Sequence, residues 1–549
     1  MKYKNENMDC LNDRLKKKDL GAFYTPKPYC KKAAELVKMA VDRVPDGNDY
    51  IILDRCAGTG NLEEALEGIY DKNGSELISH CIVSTYEYYE YRVLFERLLG
   101  KVREIIPPSE ENVIYSNGMV SNADAMSKEF IDNPIIKQYL DNPKCNVILF
   151  ENPPFRDKTS GLEHGEAIRT GKRVSYVLDE MKKEVKGVAT NEIAHMFIWS
   201  AFKFYIRNSH DSYIVFAPAK YWKQYNFVCK KPIKCFIFNR KHFHASSSSI
   251  TCIFWGNSNS GVSSIYCEVF DIDPDNSLQK IDLDIPIVIK KVFKPASKNY
   301  NKIRFSSDDI INIHCAKNGQ EYKGDCKVKS YWNNKIIGYL EADSFQISPK
   351  VQNIVSLCLY NGHGCYLTRD RYKEILPIWV AKNVPLDNWY EKDIYATTSD
   401  GGDKYTKDKE FLKNCLIYTC LSNQNKCLSF IGSDGRYYKN NLCFDNDTIA
   451  SNELKHTKLD LDEKELINLW DKIINEARKT ENYNDSYTYG IYQINKELNT
   501  FDISGIGKGK QRIYDYPELN GLLNILKIKL KKYYKSHITD KMFKYELLK

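Results

Sequence analysis

Val147-Ile148-Leu149-Phe150-Glu151-Asn152-Pro153-Pro154-Phe155 is an apolar run that ends in an acid, an amide, two prolines and an aromatic ring. The run predicts a buried strand of a parallel sheet. In open α/β sheets the loops at the carboxyl ends of such strands build the active-site crevice. The residues after the run suit a planar group bearing an exocyclic amine. Asn152 offers a side-chain oxygen to one N–H of such an amine, and the Pro153 carbonyl offers a second acceptor to the other. Pro153 and Pro154 fix φ and bring no competing N–H, so the turn is stiff. Phe155 adds a flat face on which a base can stack, worth about 1–3 kcal/mol in comparable nucleic-acid contacts.

Upstream of this loop lie further sites in order. Residues 1–20 are polar and charged and read as a loose arm. Gly21-Ala22-Phe23-Tyr24-Thr25-Pro26 precedes an amphipathic helix expected at about residues 29–44. Tyr50-Ile51-Ile52-Leu53-Asp54 reads as a second buried strand, running into Arg55-Cys56-Ala57-Gly58-Thr59-Gly60-Asn61-Leu62 and then a helix through residue 69. A strand, a glycine turn and a helix are the parts of a nucleotide-type pocket. Gly58 and Gly60 let the backbone approach a ligand closely. Position 63 is Glu, not the third glycine of a pyrophosphate cradle. An adenosyl ligand without phosphate fits better, its ammonium beside Asp54. A third strand, His80 to Glu87, ends in an acid 27 residues beyond Gly60, where a ribose diol is gripped at a spacing of roughly 20. Glu90 competes with Glu87 for that part. Asn122-Ala123-Asp124-Ala125 is a short acidic turn able to accept from an adenine amino group. Residues 156–190 form a long polar stretch that could close on a ligand, Ile193 to Trp199 begins a core helix, and Tyr213 to Pro218 is a further strand. His195 on that helix reads as a core residue with no catalytic part.

These features resemble, in order and spacing, the N6-adenine-specific DNA methyltransferases whose catalytic domain precedes the target recognition domain. Phe23-Tyr24-Thr25-Pro26 is similar to the family's N-terminal cofactor motif. Asp54 through Asn61 is similar to Asp-Pro-x-x-Gly-Thr-Gly-Asn, with Arg55 in place of proline. Glu87 matches the ribose-binding acid and Asp124 the residue at the cofactor adenine. Asn152-Pro153-Pro154-Phe155 resembles the catalytic Asn-Pro-Pro-aromatic motif, with Phe for the commoner Tyr. Residues 213–218 resemble the following strand motif. The stretch from His242-Phe243-His244 to Thr251-Cys252-Ile253-Phe254 resembles a later motif whose aromatic, here Phe243, packs on the flipped base.

The resemblance implies an α/β, Rossmann-like class I S-adenosylmethionine-dependent methyltransferase domain at residues 21–257. After it comes a mixed α+β target recognition domain at 258–549. It implies a site-specific, adenine-specific DNA-methyltransferase of a restriction-modification system, or an orphan methylase. The cofactor is S-adenosyl-L-methionine and no metal is expected. The implied cofactor-binding residues are Tyr24, Thr25, Pro26, Asp54, Ala57, Gly58, Gly60, Asn61, Glu87 and Asp124, and the catalytic ones are Asn152, Pro153, Pro154 and Phe155. Base stacking falls to Phe155 and Phe243. Double-stranded DNA is the expected partner, together with a restriction endonuclease encoded separately. The chain is expected to act as a monomer.

Composition agrees with that class. A chain of 549 residues with 42% hydrophobic and 28% charged residues is expected to form two or three globular domains. No apolar run approaches the ~20 residues of a membrane span, and the N-terminal stretch carries no secretory h-region, which predicts a cytoplasmic protein. The 17 cysteines form no Cys-x-x-Cys pair and read as reduced core thiols; Cys415, Cys420 and Cys427 fit no zinc spacing. Net charge is +8, and residues 505–549 alone hold eleven Lys or Arg against four Asp or Glu. That basic end, interleaved with tyrosines and closing in a helix at about 521–535, suits a phosphate backbone. Arg369, Arg371, Lys382, Asn383 and Lys404 are further candidate DNA contacts. The rival readings are an RNA or protein-glutamine methyltransferase, a non-catalytic DNA specificity module, and a fused restriction-modification enzyme. No nuclease array accompanies the last.

Overall fold

The computed structural model describes residues 24–86, 88–107, 123–154, 175–224, 228, 230–259, 263–299, 336–341, 354–355, 364–431, 437–505 and 511–549. Glu87, Phe155, the arm at 1–20 and the stretch 156–174 lie outside the described residues. The chain divides into two compact units. One takes the described residues up to Lys291 together with Asn388–Ile394; the other takes Val292–Asp387 and Tyr395–Lys549. Among the described residues no helix is long and apolar enough to cross a membrane.

The first unit is built on a mixed ten-stranded sheet. Its strands are β1 (Asp49–Asp54), β2 (Cys81–Val83), β3 (Glu104–Ile105), β4 (Cys145–Glu151), β5 (Ser212–Ala217), β6 (Lys230–Asn239), β7 (Ser249–Asn259), β8 (Ser264–Ile272), β9 (Leu278–Ile281) and β10 (Ile287–Lys290). Their spatial order is β10-β8-β6-β7-β5-β4-β1-β2-β3, with β9 beside β8. Strands β3, β2, β1, β4 and β5 run parallel, while β7 runs antiparallel to both β5 and β6. The Rossmann-like α/β architecture expected of the first domain is therefore the one observed. Beyond residue 257, β8, β9 and β10 continue the same sheet, because β8 pairs in parallel with β6.

The order matters for the site. From β1 the chain builds outward through β2 and β3, then returns to place β4 on the other side of β1. This reversal leaves a crevice at the carboxyl ends of β1 and β4, the position where ligands bind in open α/β sheets. The register sets Leu53 opposite Leu149, so Asp54 and Glu151 end neighbouring strands.

Both faces of the sheet are covered. Helix α1 (Lys27–Val41) starts on Pro26 and buries Tyr29, Ala33, Leu36, Val37 and Ala40. It packs with Ile52, Ile148, Phe150, Ile214 and Phe216 in one apolar core. Helix α2 (Asn61–Glu64) and helix α3 (Tyr88–Leu98) add Leu62, Leu94 and Leu98 to that core. The opposite-facing residues Ile51, Leu53, Val147, Leu149, Tyr213 and Val215 are also buried. That face meets α4 (Ile193–Ser200) and the π-type turn Ala201–Tyr205, whose Phe202 ring lies 5.7 Å from Tyr213. Burial on both faces is why β1, β4 and β5 read as continuous apolar runs without alternation.

The second unit holds helices α5 (Tyr372–Lys382), α6 (Lys409–Leu421), α7 (Leu461–Ala477) and α8 (Pro517–Tyr533). They enclose an apolar core around Trp379 and Trp470. A three-stranded sheet β12-β11-β13 joins them, from β11 (Ile336–Glu341), β12 (Ile354–Val355) and β13 (Gly364–Thr368). Lys382, foreseen as a DNA contact, is buried at the end of α5 and cannot serve a phosphate there.

One buried carboxylate fixes β4 against β5. Asp211, just before β5, accepts Val147 N and Asn146 Nδ2 at 3.0 Å, Arg207 N at 2.8 Å and Asn208 N at 2.7 Å. Replacing Asp211 with Ala strands these donors in a dry interior and should cost about 3 kcal/mol. Asp211→Asn, which keeps an acceptor, should cost about half as much. Urea unfolding of the two variants followed by tryptophan fluorescence checks the ranking, and an Ala variant as stable as wild type contradicts it.

Candidate active site

Strand β1 delivers Asp54 to the crevice, and the turn that follows is shaped by its glycines. Gly58 and Gly60 both adopt positive φ, 57° and 85°. A side chain on Gly60 would also meet Leu98 Cδ1 at 2.8 Å, so this position accepts glycine alone. The Tyr24 ring lies over Gly58, with Cε1 at 3.4 Å from where a Cβ would sit. The turn is stitched to β2, since Ser84 N donates to the Asp54 carbonyl and Ala57 N to the Ser84 carbonyl, each at 2.9 Å.

Asp54 is 1% exposed. Its Oδ1 accepts Cys56 N at 2.8 Å, while its Oδ2 is buried with no hydrogen-bond partner among the described residues. Glu63, 2% exposed at the start of α2, carries a second such oxygen in Oε2. Burial, then the charges of Glu63 and Glu151, push the Asp54 carboxyl well above the usual range. Burial pushes the Glu63 carboxyl up to about 7. With a proton between them the two carboxyls share a hydrogen bond, and among the described charges only that of Arg97 acts on Glu63 to favour its ionised form. This buried acid pair therefore favours a ligand that brings a further positive charge. An S-adenosylmethionine fits this donor set, since its ammonium and sulfonium are cations, and the glycine turn allows the close approach it needs.

Thr25 joins the glycine turn after β1 to the loop after β4. Its carbonyl accepts Asn61 Nδ2 at 3.1 Å, and its hydroxyl oxygen accepts Asn152 Nδ2 at 2.9 Å. Tyr24 OH donates to Glu90 Oε1 at 2.9 Å and Thr85 Oγ1 to Glu90 Oε2 at 2.7 Å, so Glu90 is a buried member of this wall. Arg97 reaches in from α3, donating to Asn61 Oδ1 at 3.2 Å and to the Thr59 carbonyl. Tyr24, Thr25, Asp54, Gly58, Gly60, Asn61 and Asn152 thus form one connected cluster. Pro26 starts α1, Ala57 lies within the turn, and Pro153 and Pro154 continue from Asn152. Asp124 serves its own turn, accepting Met126 N at 3.0 Å.

Phe243 was expected to pack on a flipped base. It closes a 3-10 turn with 2% exposure, its ring 5.9 Å from Tyr29 and 6.3 Å from Phe216. In this structure the ring packs in the core under α1. His195 is buried, its Nδ1 2.8 Å from the Ala189 carbonyl, and burial pushes its pKa down to about 4. It stays neutral, as a core residue should.

The sequence reading undervalued Arg55, Glu63 and Glu151. Arg55 and Glu151 are wholly buried and form a bidentate ion pair, Nε to Oε1 at 2.5 Å and Nη2 to Oε2 at 2.9 Å. Opposite charges at the ends of two apolar strands were the available signal.

No protein-family model and no curated protein matches the sequence. Among solved structures, the chain is similar to the modification subunit of a putative type I restriction enzyme from Vibrio vulnificus YJ016. Identity there is 14% over 55% of this chain and 61% of that one, with a TM-score of 0.33. It is also similar to the type IIG restriction endonuclease BpuSI, at 14% identity over 49% of this chain and 29% of that one, TM-score 0.32. A third is the type IIL restriction-modification enzyme MmeI, solved in complex with DNA, at 11% identity over 92% of this chain and 72% of that one, TM-score 0.28. The chain thus spans under two thirds of the first two proteins.

The raised acids predict a pH signature. Glu63 holds its proton more tightly in the folded chain than at its ordinary value of 4.5, so stability falls as pH rises from about 4.5 to about 7. A cationic ligand favours the ionised carboxyls, so its binding should release protons below about pH 7. Calorimetric titration of S-adenosylmethionine in buffers of different ionisation enthalpy measures that release. Glu63→Gln should diminish it, and equal heats in all buffers for the wild type count against the assignment.

Proposed function

We propose that this chain is a site-specific DNA adenine-N6 methyltransferase using S-adenosylmethionine, acting in restriction-modification or as an orphan methylase. The supporting observation is the Asn152 amide, held by Thr25 just after β4, the strand that neighbours β1 with its buried terminal Asp54. When bound, S-adenosylmethionine supplies an electrophilic methyl on a sulfonium leaving group. Catalysis then consists of positioning and exclusion of water. Asp54 and Glu63 face the cationic part of the donor, the Gly58–Gly60 turn admits it closely, and Glu87 and Asp124 take its ribose and adenine. The target adenine leaves the duplex at a cost of a few kcal/mol, offset in part by stacking on Phe155. Asn152 Oδ1 and the Pro153 carbonyl accept the two N–H groups of the amine. Their pull holds the nitrogen as its lone pair leaves conjugation and turns toward the methyl. The alkylated nitrogen is strongly acidic, so its surplus proton needs no dedicated base. The second unit is the target recognition domain, with side chains reading base edges and lysines gripping phosphates.

Asn152→Ala should reduce methyl transfer by about 10²–10³-fold or more while leaving donor affinity largely intact. Methylation-aware sequencing of DNA from cells expressing the wild type should show N6-methyladenine at one recurrent sequence. Methyl label in RNA or protein but not DNA would move the assignment to the rival amide and amine methyltransferases.

A further inference from the structure

Behind the crevice, Arg55 and Glu151 seal an ion pair from which water is excluded. Its outer valences are also satisfied. Arg55 Nη1 donates to Ser200 Oγ at 2.8 Å and Nη2 to the Phe197 carbonyl at 2.9 Å. The rings of Phe197 and Tyr205 flank the guanidinium at 5.1 and 4.8 Å. Tyr213 OH donates to Glu151 Oε2 at 3.0 Å, and Arg55 N reaches Glu151 Oε1 at 3.3 Å. Each member directly adjoins a residue of the proposed chemistry: Arg55 follows Asp54, and Glu151 precedes Asn152.

Strand alternation explains the division of labour. Successive side chains point to opposite faces, and residues aligned across parallel strands share a face. Ile52, Asp54, Phe150 and Asn152 therefore belong to the face under α1, where Ile52 and Phe150 join the core and Asn152 meets Thr25. Arg55 and Glu151 belong to the other face, against α4 and the turn after it. Glu151 also lies close to Asp54, their carboxylate oxygens within 4.8 Å, and the pair ties together the two strand ends that carry Asp54 and Asn152.

An apolar contact would join those ends without setting their relative slide or rotation. A two-pronged Arg–carboxylate pair sets both, because its two hydrogen bonds are parallel and planar. We propose that Arg55 and Glu151 are positioning residues for methyl transfer, their buried fork fixing the end of β1 against the end of β4 and so the separation between donor and amine. This rests on the methyltransferase reading above.

The test uses the full chain with Arg55→Met, Glu151→Leu, the double variant, and Arg55→Lys. Each apolar single variant leaves one charge buried alone and should lower the unfolding midpoint sharply; the double variant should recover it. Arg55→Lys keeps the charge and loses the fork. In the double variant and in Arg55→Lys, single-turnover methyl transfer should fall about 10-fold or more, with donor Kd changed by less than about threefold. Wild-type transfer rates in either folded variant overturn the proposal, as does a loss confined to donor binding. Should the double variant not fold, Arg55→Lys decides alone. A wild-type chain that binds donor and methylates no DNA overturns the methyltransferase reading, and the positioning role falls with it. An active wild type with equally active variants overturns only the positioning role.

Discussion

Two opposite charges sealed between the ends of β1 and β4 are the constraint on which the site's geometry depends. Such a pair is a poor source of stability. Desolvating each ion costs several kcal/mol, and well-packed apolar replacements of similar volume often match or exceed the net benefit. What the pair contributes is direction. The crevice exists because strand order reverses between β1 and β4, but a crevice is a broad feature, and methyl transfer tolerates little error in the line from donor to nucleophile. The fork converts neighbouring strands into strands of fixed slide, with Asp54 and Asn152 one position away on each.

The opposite face is organised on the contrary principle. There Asp54 and Glu63 stand with oxygens that no described group satisfies, and burial raises both carboxyls toward the protonated form. With a proton between them the two share a hydrogen bond, and among the described charges only that of Arg97 favours the ionised form of Glu63, so a ligand that brings its own positive charge gains by ionising them. Arg55, one residue away, does not relieve the deficit, because its guanidinium is committed to Glu151. The carboxylate of Glu151, paired with Arg55, and that of Asp54, which lacks a cation among the described residues, stand within 4.8 Å of one another at the two strand ends.

The parts legible in the sequence were those in which residue type alone carries the structure. β1, β4 and β5 follow from apolar runs, the Gly58–Gly60 turn from positions where only glycine is relaxed, and α1 from its apolar period behind Pro26. The parts not legible depend on which way a side chain turns. Phe243 has the chemistry of a stacking face, but a 3-10 turn directs it into the core beside Tyr29. Glu63 seemed only to spoil a glycine pattern, since sequence does not show that its carboxyl would be dry. The third strand was expected to run from residue 80 to 87 and stops at Val83, because Ser84 bonds to the glycine turn after β1 instead. The helix after Asn61 was expected to reach residue 69 and ends at Glu64; Gly68 at a φ of 72° belongs to the turn that replaces it. The continuation of the sheet through β10 depends on the parallel pairing of β8 with β6, a non-local choice that no local pattern announces.

The basic C-terminal end raises a final question of energetics. Its lysines are extensively paired within the second unit: Lys529 with Glu465, Lys531 and Lys535 with Asp387, Lys541 with Asp408, and Lys549 with Asp400. The excess charge counted along the sequence is therefore not all presented outward. Two kinds of pair must be distinguished. Lys549 and Asp400 are largely buried, and the carboxylate is held further by Phe293 N and Lys294 N, so this pair is a fixed part of the unit. The pairs along α8 are exposed, and such pairs contribute about 0–1 kcal/mol each. A phosphate backbone exchanges for those carboxylates at little cost and gains counterion release in the process. On these magnitudes the α8 lysines retain the capacity the sequence suggested, and Lys549 does not.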